Sequence, residues 1–318
     1  MVSDPTFPLV TYVVLSYNNA SIITQTLDSV LLQEYANSEF IIIDDGSSDD
    51  SVAVINKWIV TKSVDCNFIV NKNNEGITRT VQKGVDLSSG DWIAMVGDDL
   101  WYPNRIAKLV NKVIFSDKNV AVVYHDCETS DADLNITEAS FIAARGFEKD
   151  DPGLEENLFM TILVDRNPIA APSAMINKRA IQDLGGYDTR LSTEDRDMFL
   201  RLTQNYSVRY VPEILVTYRR PSRPIPNRAA TPKHHHDRLV MYQNIFTKSK
   251  SEVRNIIIKK ILPHYLFAKK NDLYPELISF WKGAIREQYR LGWILVLLLQ
   301  QDKPSFFEKI AVRIIKLA

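Results

Sequence analysis

Phe40-Ile41-Ile42-Ile43-Asp44-Asp45-Gly46-Ser47-Ser48-Asp49-Asp50 passes directly from four bulky apolar residues into a cluster of carboxylates. A short continuous apolar run is the pattern of a strand buried on both faces, as in a parallel sheet. The same design recurs downstream, where Trp92-Ile93-Ala94-Met95-Val96 leads into Gly97-Asp98-Asp99. In open α/β sheets, ligands sit in the crevice beyond the carboxyl ends of the strands. Two strand ends therefore aim acidic groups at one crevice. Carboxylates packed together repel unless a cation or hydrogen-bond donors lie between them. A divalent metal carrying a phosphorylated ligand meets that need.

Outward from these two strands the alternation continues. Leu9–Leu15 predicts a first strand ending at Ser16-Tyr17-Asn18-Asn19, and Ser21 is placed to cap a helix reaching Gln33. A helix from Asp49 or Asp50 to Thr61, a strand over Asn67–Val70 and a helix over Ile77–Leu87 follow. Pro103 starts a helix over Asn104–Val113, and Val120–Tyr124 reads as a fifth strand. Strands alternating with helices predict an α/β protein with a mostly parallel sheet. After an irregular stretch, Ala174–Asn177, Arg209–Val211 and Leu215–Tyr218 read as short strands, with helices over Lys178–Leu184 and Thr193–Asn205. Pro221, Pro224, Pro226 and Pro232 predict a mobile basic loop or domain boundary. Beyond it come helices over 237–247, 252–270, 273–299 and 305–317. The expected domains are 1–220 and a helical region over 221–318.

Of the 318 residues, 45% are hydrophobic, ordinary for a soluble globular protein. Cys66 and Cys127 form neither a disulfide framework nor a metal-ligand spacing, which favours reduced thiols in the cytoplasm. Met1-Val2-Ser3-Asp4-Pro5 shows no signal peptide, and no apolar run approaches the roughly 20 residues that span a bilayer. The net charge of −1 hides an asymmetry. Residues 1–214 carry 18 Lys and Arg against 32 Asp and Glu, whereas residues 215–318 carry 20 against 7. The basic part suits an anionic partner.

Several segments together resemble glycosyltransferase family 2. They are Val13-Val14-Leu15-Ser16-Tyr17-Asn18-Asn19, Asp44-Asp45-Gly46-Ser47, Ser89-Gly90-Asp91-Trp92-Ile93, Gly97-Asp98-Asp99, Gly185-Gly186-Tyr187-Asp188 and Glu194-Asp195. Their order and spacing over residues 8–220 carry the resemblance. It implies a GT-A fold, a nucleotide-diphosphate-sugar donor, a Mn or Mg ion and inversion at the anomeric carbon. It further implies that Asp45 accepts the N3–H of a uracil, with Tyr17 stacking on the base. Asp99 becomes the metal ligand, and Asp98 binds ribose or the outer shell of the metal. Gly97 stands where many relatives have a further aspartate, so the inner ligand set is sparse. Asp195 matches the catalytic base, and Asp44 is left a structural part.

Arg79, Arg219 and Arg220 are candidates to reach the diphosphate. Some relatives of this fold place a late-loop histidine on the metal, so His234, His235 and His236 join Asp99 as candidate ligands. Asp197 and Arg201, at i and i+4, read as a surface pair. In Ser305–Ala318, Phe306, Phe307, Ile310, Ile314 and Leu317 form an apolar stripe beside Lys309, Arg313 and Lys316. That is the pattern of a helix lying on anionic lipid.

The expected activity is transfer of a sugar from a UDP donor to a glycan or lipid-linked glycan, in bacterial capsule or O-antigen assembly. The expected location is the cytoplasm, peripheral on the inner face of the membrane, with no nucleic-acid partner and with self-association left open. The alternatives are a nucleotidyltransferase of sugar phosphates and a non-catalytic sugar-nucleotide-binding protein. The first lacks its Gly-rich basic loop at Ser16-Tyr17-Asn18-Asn19, and Glu194-Asp195 weighs against the second.

Overall fold

The structure, a computed structural model, describes residues 7–114, 116, 119–220 and 231–288. The chain divides into two compact units, one of Met1–Thr189 with Thr193–Pro224 and the other of Arg190–Ser192 with Ile225–Ala318. The first unit is built on a sheet of nine strands among the described residues. Four of them, β1 (Val10–Ser16), β2 (Ser38–Asp44), β3 (Asn67–Val70) and β4 (Trp92–Val96), run parallel in the order β3-β2-β1-β4. The register pairs Ser16 with Asp44, so the first two strands end at one level. Five further strands are β5 (Leu100–Trp101), β6 (Val120–Ser130), β7 (Ile136–Glu138), β8 (Ala174–Asn177) and β9 (Ser207–Arg219). They extend the sheet as β4-β8-β6-β9-β5, with β7 paired to β6. β8 runs antiparallel between β4 and β6, whereas β6 and β9 are parallel.

Residues 209–211 and 215–218, expected as two strands, belong to the single strand β9. Its register jumps between the pairs His125–Val211 and Asp126–Ile214, leaving Pro212 and Glu213 in a bulge. Proline cannot donate to a ladder, so the bulge accommodates it without breaking the strand.

The helices of this unit are α1 (Ile23–Leu31), α2 (Ser51–Lys62), α3 (Ile77–Leu87), α4 (Arg105–Ile114), α5 (Leu158–Leu163), α6 (Lys178–Asp183) and α7 (Asp195–Asn205). Tyr12, Val14 and Ile42 pack with Ile23 and Leu27 of α1, Ile55 of α2 and Ile106 of α4 in one core. Val13 and Ile43 lie against Gly84 of α3 on the opposite face. Each fully buried aliphatic side chain contributes about 1.5–3 kcal/mol. Ser21 does not cap α1: the backbone carbonyl of Asn19 accepts the N–H groups of Ile22 and Ile23, each at 3.0 Å.

The second unit holds α8 (Pro232–Phe246), α9 (Ser251–Lys270) and α10 (Pro275–Gln288). Leu239, Tyr242 and Ile245 of α8, Ile257, Ile261 and Tyr265 of α9, and Trp281 and Ile285 of α10 are buried. No helix among the described residues is long and apolar enough to cross a membrane. Residues 221–230 of the loop expected over 219–233, the apolar run Leu291–Leu299 and the amphipathic segment 305–318 lie outside the described residues.

Candidate active site

The loops after β1, β2 and β3 are stitched into one rim by short polar side chains. Asp44 is fully buried and accepts from the Ser16 hydroxyl at 2.9 Å and from the Ser47 N–H and hydroxyl at 2.8 and 2.7 Å. Its oxygens serve the loop, as expected of a structural aspartate. Asn18 crosses to the next loop, its side-chain oxygen accepting the Ser48 N–H at 2.8 Å. Gly46 has φ +71°, and a Cβ there would stand 2.5 Å from the backbone carbon of Asn73. Only glycine allows the β2 and β3 loops to meet this closely.

Asp45, 5% exposed, uses that closeness. Its Oδ1 accepts from Asn71 Nδ2 at 2.8 Å and from the Glu75 N–H at 2.9 Å, and its Oδ2 accepts from the Gly76 N–H at 3.0 Å. A carboxylate oxygen can accept about two hydrogen bonds, so Oδ2 retains acceptor capacity. Lys83 holds Asn71 in place through its Oδ1 at 2.5 Å. Tyr17 stands half exposed at the end of β1, with its ring available for contact. Arg79 is exposed on the first turn of α3.

Asp98 and Asp99 follow β4. Asp99 is 4% exposed and accepts the Arg219 backbone N–H at 2.9 Å. Burial, reinforced by the Asp98 charge, pushes its carboxyl well above the usual carboxylate range. Burial raises Asp98 as well, partly opposed by Arg219. Two adjacent carboxyls that resist ionisation together are short of positive charge, which a divalent cation supplies. Mg and Mn are usually held by one or two carboxylates plus substrate phosphates, so the pair fits such an ion. The Arg219 side chain is buried and donates to Gln25 Oε1 at 2.6 Å, while its Nε and Nη1 have no partner. Buried donors left unpaired cost about 1–3 kcal/mol each, which an incoming phosphate oxygen would recover.

Behind Asp99 lies Arg105, fully buried, with its guanidinium over the Trp101 ring at 4.3 Å. Its Nε donates to His125 Nε2 at 2.9 Å, and its Nη2 donates to the carbonyls of Pro172 and Ala174 at 3.0 and 3.1 Å. Burial, then the Arg105 charge, holds His125 well below its usual range. The ring is therefore neutral, with its proton on Nδ1, facing the Asp126 carbonyl at 2.6 Å. Arg105 and His125 were absent from the sequence expectations. Only the fold brings α4, β6 and the 3-10 turn Ala171–Ser173 together.

Asp99 and Asp195 line one cavity of about 180 Å³, together with Gly97, Pro172, Tyr187, Glu194 and Tyr218. Asp195 is the first residue of α7, and its Oδ1 accepts the Arg196 N–H at 2.6 Å. The preceding turn is set by Gly185 and Gly186, with φ +84° and +78°. A Cβ on Gly186 would stand 2.6 Å from Gln82 Oε1, the atom that accepts the Tyr187 N–H at 2.7 Å. Asp197 and Arg201 do not form a surface pair. They are 2% and 9% exposed, Arg201 Nε donates to Asp197 at 2.8 Å, and Arg201 Nη1 donates to the Gly186 carbonyl at 2.9 Å. The pair ties α7 to the glycine turn.

The family model for Glycosyl transferase family 2 matches residues 11–165, which include β1 to β4 and both acidic strand ends. Over these residues the chain is matched to glycosyltransferase family 2. An uncharacterized glycosyltransferase of Rickettsia prowazekii is 25% identical over 276 residues, 83% of this chain and 81% of that protein. One of Rickettsia typhi is 26% identical over 216 residues, but the match spans only 64% of its length. Among solved structures, Staphylococcus aureus TarS 1–349 in complex with UDP superposes with a TM-score of 0.60 at 13% identity, covering 97% of this chain and 90% of that one. The longer TarS chain is covered to 55%. A mannosyltransferase of Pyrobaculum calidifontis in complex with GDP-Man and Mn2+ gives 0.50 at 17% identity, covering 98% of this chain and 87% of that one. These structural likenesses establish the GT-A fold, with its helix-flanked and mostly parallel sheet.

The histidines stand differently from expectation. They are not on a loop: α8 begins at Pro232, with the Thr231 hydroxyl accepting the His234 N–H at 3.2 Å. A threonine cap followed by proline at the first position is a strong helix start, and it captures all three residues. His235 shares a hydrogen bond with His264 of α9, Nδ1 to Nδ1 at 2.9 Å, and stacks on Phe267 at 3.8 Å. His236 faces Asp237 at 3.2 Å. Asp99 belongs to the first unit and the histidines to the second. Among the described residues, no group of three or more His, Cys, Asp or Glu is arranged to hold a metal.

Proposed function

We propose that this protein is an inverting glycosyltransferase that moves a sugar from a nucleotide-diphosphate donor, with UDP favoured, to a hydroxyl of a glycan. The observation that carries this reading is the convergence of Asp99 and Asp195 on one cavity. Asp45 accepts an N–H of the base through its spare acceptor site, and Tyr17 stacks on the ring. Asp98 binds ribose. Asp99, with Asp98 beside it, holds Mn or Mg. That ion, when bound, offsets the charge of the departing diphosphate. Arg219 turns its unpaired Nε and Nη1 toward the same phosphates, and Arg79 approaches them from α3.

Asp195 takes the proton of the acceptor hydroxyl as its oxygen bonds to the anomeric carbon. The bond from that carbon to the diphosphate breaks on the opposite side, which inverts the configuration. UDP is favoured because TarS is a neighbour in complex with UDP. Bacterial relatives and the basic C-terminal third support assembly of a surface polysaccharide such as capsule or O-antigen, on a lipid-linked acceptor at the cytoplasmic face of the membrane.

The test is hydrolysis of a panel of UDP- and GDP-sugars with Mn or Mg. One UDP-sugar is expected to turn over. Asp195→Asn should reduce that turnover roughly 10²–10⁴-fold, the usual worth of a general base, with UDP affinity unchanged. Near-normal turnover in the variant would assign the base to another group, with Glu194 next in line.

A further inference from the structure

Beside the cavity, on the side of Tyr218, two arginines share one carboxylate neighbour, Glu138, which pairs with Arg220 and also acts on Arg145. Arg145 lies with its guanidinium 3.1 Å above the centre of the Phe141 ring, and its Nη1 donates to the Phe141 carbonyl at 3.0 Å. It makes no ion pair among the described residues. Arg220 lies 5.6 Å from the centre of the same ring and 5.5 Å from that of Tyr218. Its carboxylate neighbour among the described residues is Glu138 at 3.4 Å. Tyr218 itself lines the cavity with Asp99 and Asp195.

The platform beneath these cations is built in. Phe141 is 5% exposed, and its N–H donates to the Cys127 carbonyl at 2.7 Å. The Asp126 carboxylate clamps the residues on either side, accepting the Ser140 hydroxyl at 2.5 Å and the Ile142 N–H at 3.1 Å. Arg166 braces the next turn by donating to the Gly146 carbonyl at 3.1 Å. Burial, and after it the Arg220 charge, holds Arg145 below the usual arginine range. Two like charges fixed on one aromatic platform, with a single acidic neighbour, leave an unmet demand for an anion. The arginines are also separate from the donor side. Arg219 and Arg220 are consecutive at the end of β9 and point to opposite faces. Arg219 turns to Gln25, and Arg220 turns to Phe141 and Glu138.

We propose that Arg145 and Arg220 form an anion subsite for the acceptor, so that the sugar is delivered to a hydroxyl close to a phosphate or carboxylate of an acidic polymer. The inference rests on the transferase reading above and names the acceptor class for the same site. Planar guanidiniums suit either anion, since both present paired oxygens to their N–H forks.

The experiment titrates three oligomers against the UDP-saturated full-length protein at low salt. The probes are a glycerol phosphodiester oligomer, an oligogalacturonate and the neutral maltotetraose. The wild type should bind at least one acidic oligomer about tenfold or more tightly than maltotetraose, as charge-assisted hydrogen bonds allow. Preference for the phosphodiester identifies phosphate as the anion, and preference for the uronate identifies carboxylate. The Arg145→Gln, Arg220→Gln double variant should lose the preference while its UDP affinity stays within about twofold of wild type, which also certifies its fold. The corresponding Lys double variant should keep part of it. Glu138→Gln should tighten acidic binding about two- to fivefold by removing the competing carboxylate. Equal binding of acidic and neutral oligomers, or an unchanged preference in the Gln double variant, overturns the proposal. A fall in UDP affinity in that variant also overturns it, by assigning the pair to the donor. Lack of donor hydrolysis in the wild type is a separate result that removes the transferase reading.

Discussion

Asp45 and Asp99 are both buried carboxylates, but their surroundings ask for different partners. Asp45 already accepts from one side-chain amide and two backbone N–H groups, so its place in the loop does not need a metal. Asp99 accepts one backbone N–H and faces the Asp98 charge. Two different losses follow. Asp45→Ala should weaken UDP about equally with and without Mn, and it should also loosen the 71–76 loop. Asp99→Ala should leave metal-free UDP binding nearly intact and remove the gain that Mn provides. Isothermal calorimetry with and without Mn reads both, and UDP binding untouched in both variants would sink the assignment. At this scale the sequence disclosed residue types better than environments. The two acidic strand ends were legible because an apolar run followed by carboxylates has few other readings. The unpaired Nε and Nη1 of Arg219 and the neutral His125 were not, since both depend on contacts between residues tens of positions apart.

At the scale of elements, β3, α3, β4 and β8 were legible to the residue, because each is short, strongly patterned and closed by turn residues. The misreadings share a cause. An i,i+4 acid–base pair on a helix normally faces water, so Asp197 and Arg201 read as exposed. Burial comes from the Leu184–Gly186 turn, whose carbonyls accept from Arg201 at 3.1 and 2.9 Å. Local pattern carries no trace of that cover. The same holds for β8, whose antiparallel place between β4 and β6 cannot be read from its own residues. The pair gives a stability test. Arg201→Met would remove the ion pair from the buried Asp197 and leave the Leu184 and Gly186 carbonyls without this donor. Breaking a buried pair from one side costs roughly 3–5 kcal/mol. Urea unfolding should register a loss of that order, and donor turnover should fall with it because Asp195 begins the same helix. A loss within about 0.5 kcal/mol, typical of a surface substitution, would mean that the pair is solvated after all.

At the scale of the whole molecule, the charge division is the feature that the match to family 2 over residues 11–165 does not absorb. Residues 1–214 hold 32 acidic and 18 basic side chains, while residues 215–318 hold 7 and 20. The acidic part contains the crevice that a metal and a nucleotide would neutralise. The basic part includes segment 305–318, whose apolar and cationic residues alternate at helical spacing. If the basic part meets an anionic bilayer, apolar burial and charge attraction act together, and only the second is screened by salt. Full-length protein should therefore sediment with liposomes containing anionic lipid at low ionic strength. The bound fraction should fall when salt rises to about 0.5 M, where the Debye length is only a few ångströms. Deleting residues 305–318 should reduce binding at low salt, and donor hydrolysis should survive because the site residues all lie before residue 221. Neutral liposomes should capture less protein under the same conditions. If the full-length protein ignores anionic liposomes at low salt, membrane docking loses its support. The acidic-polymer acceptor would remain testable by itself, since Arg145 and Arg220 belong to the first unit.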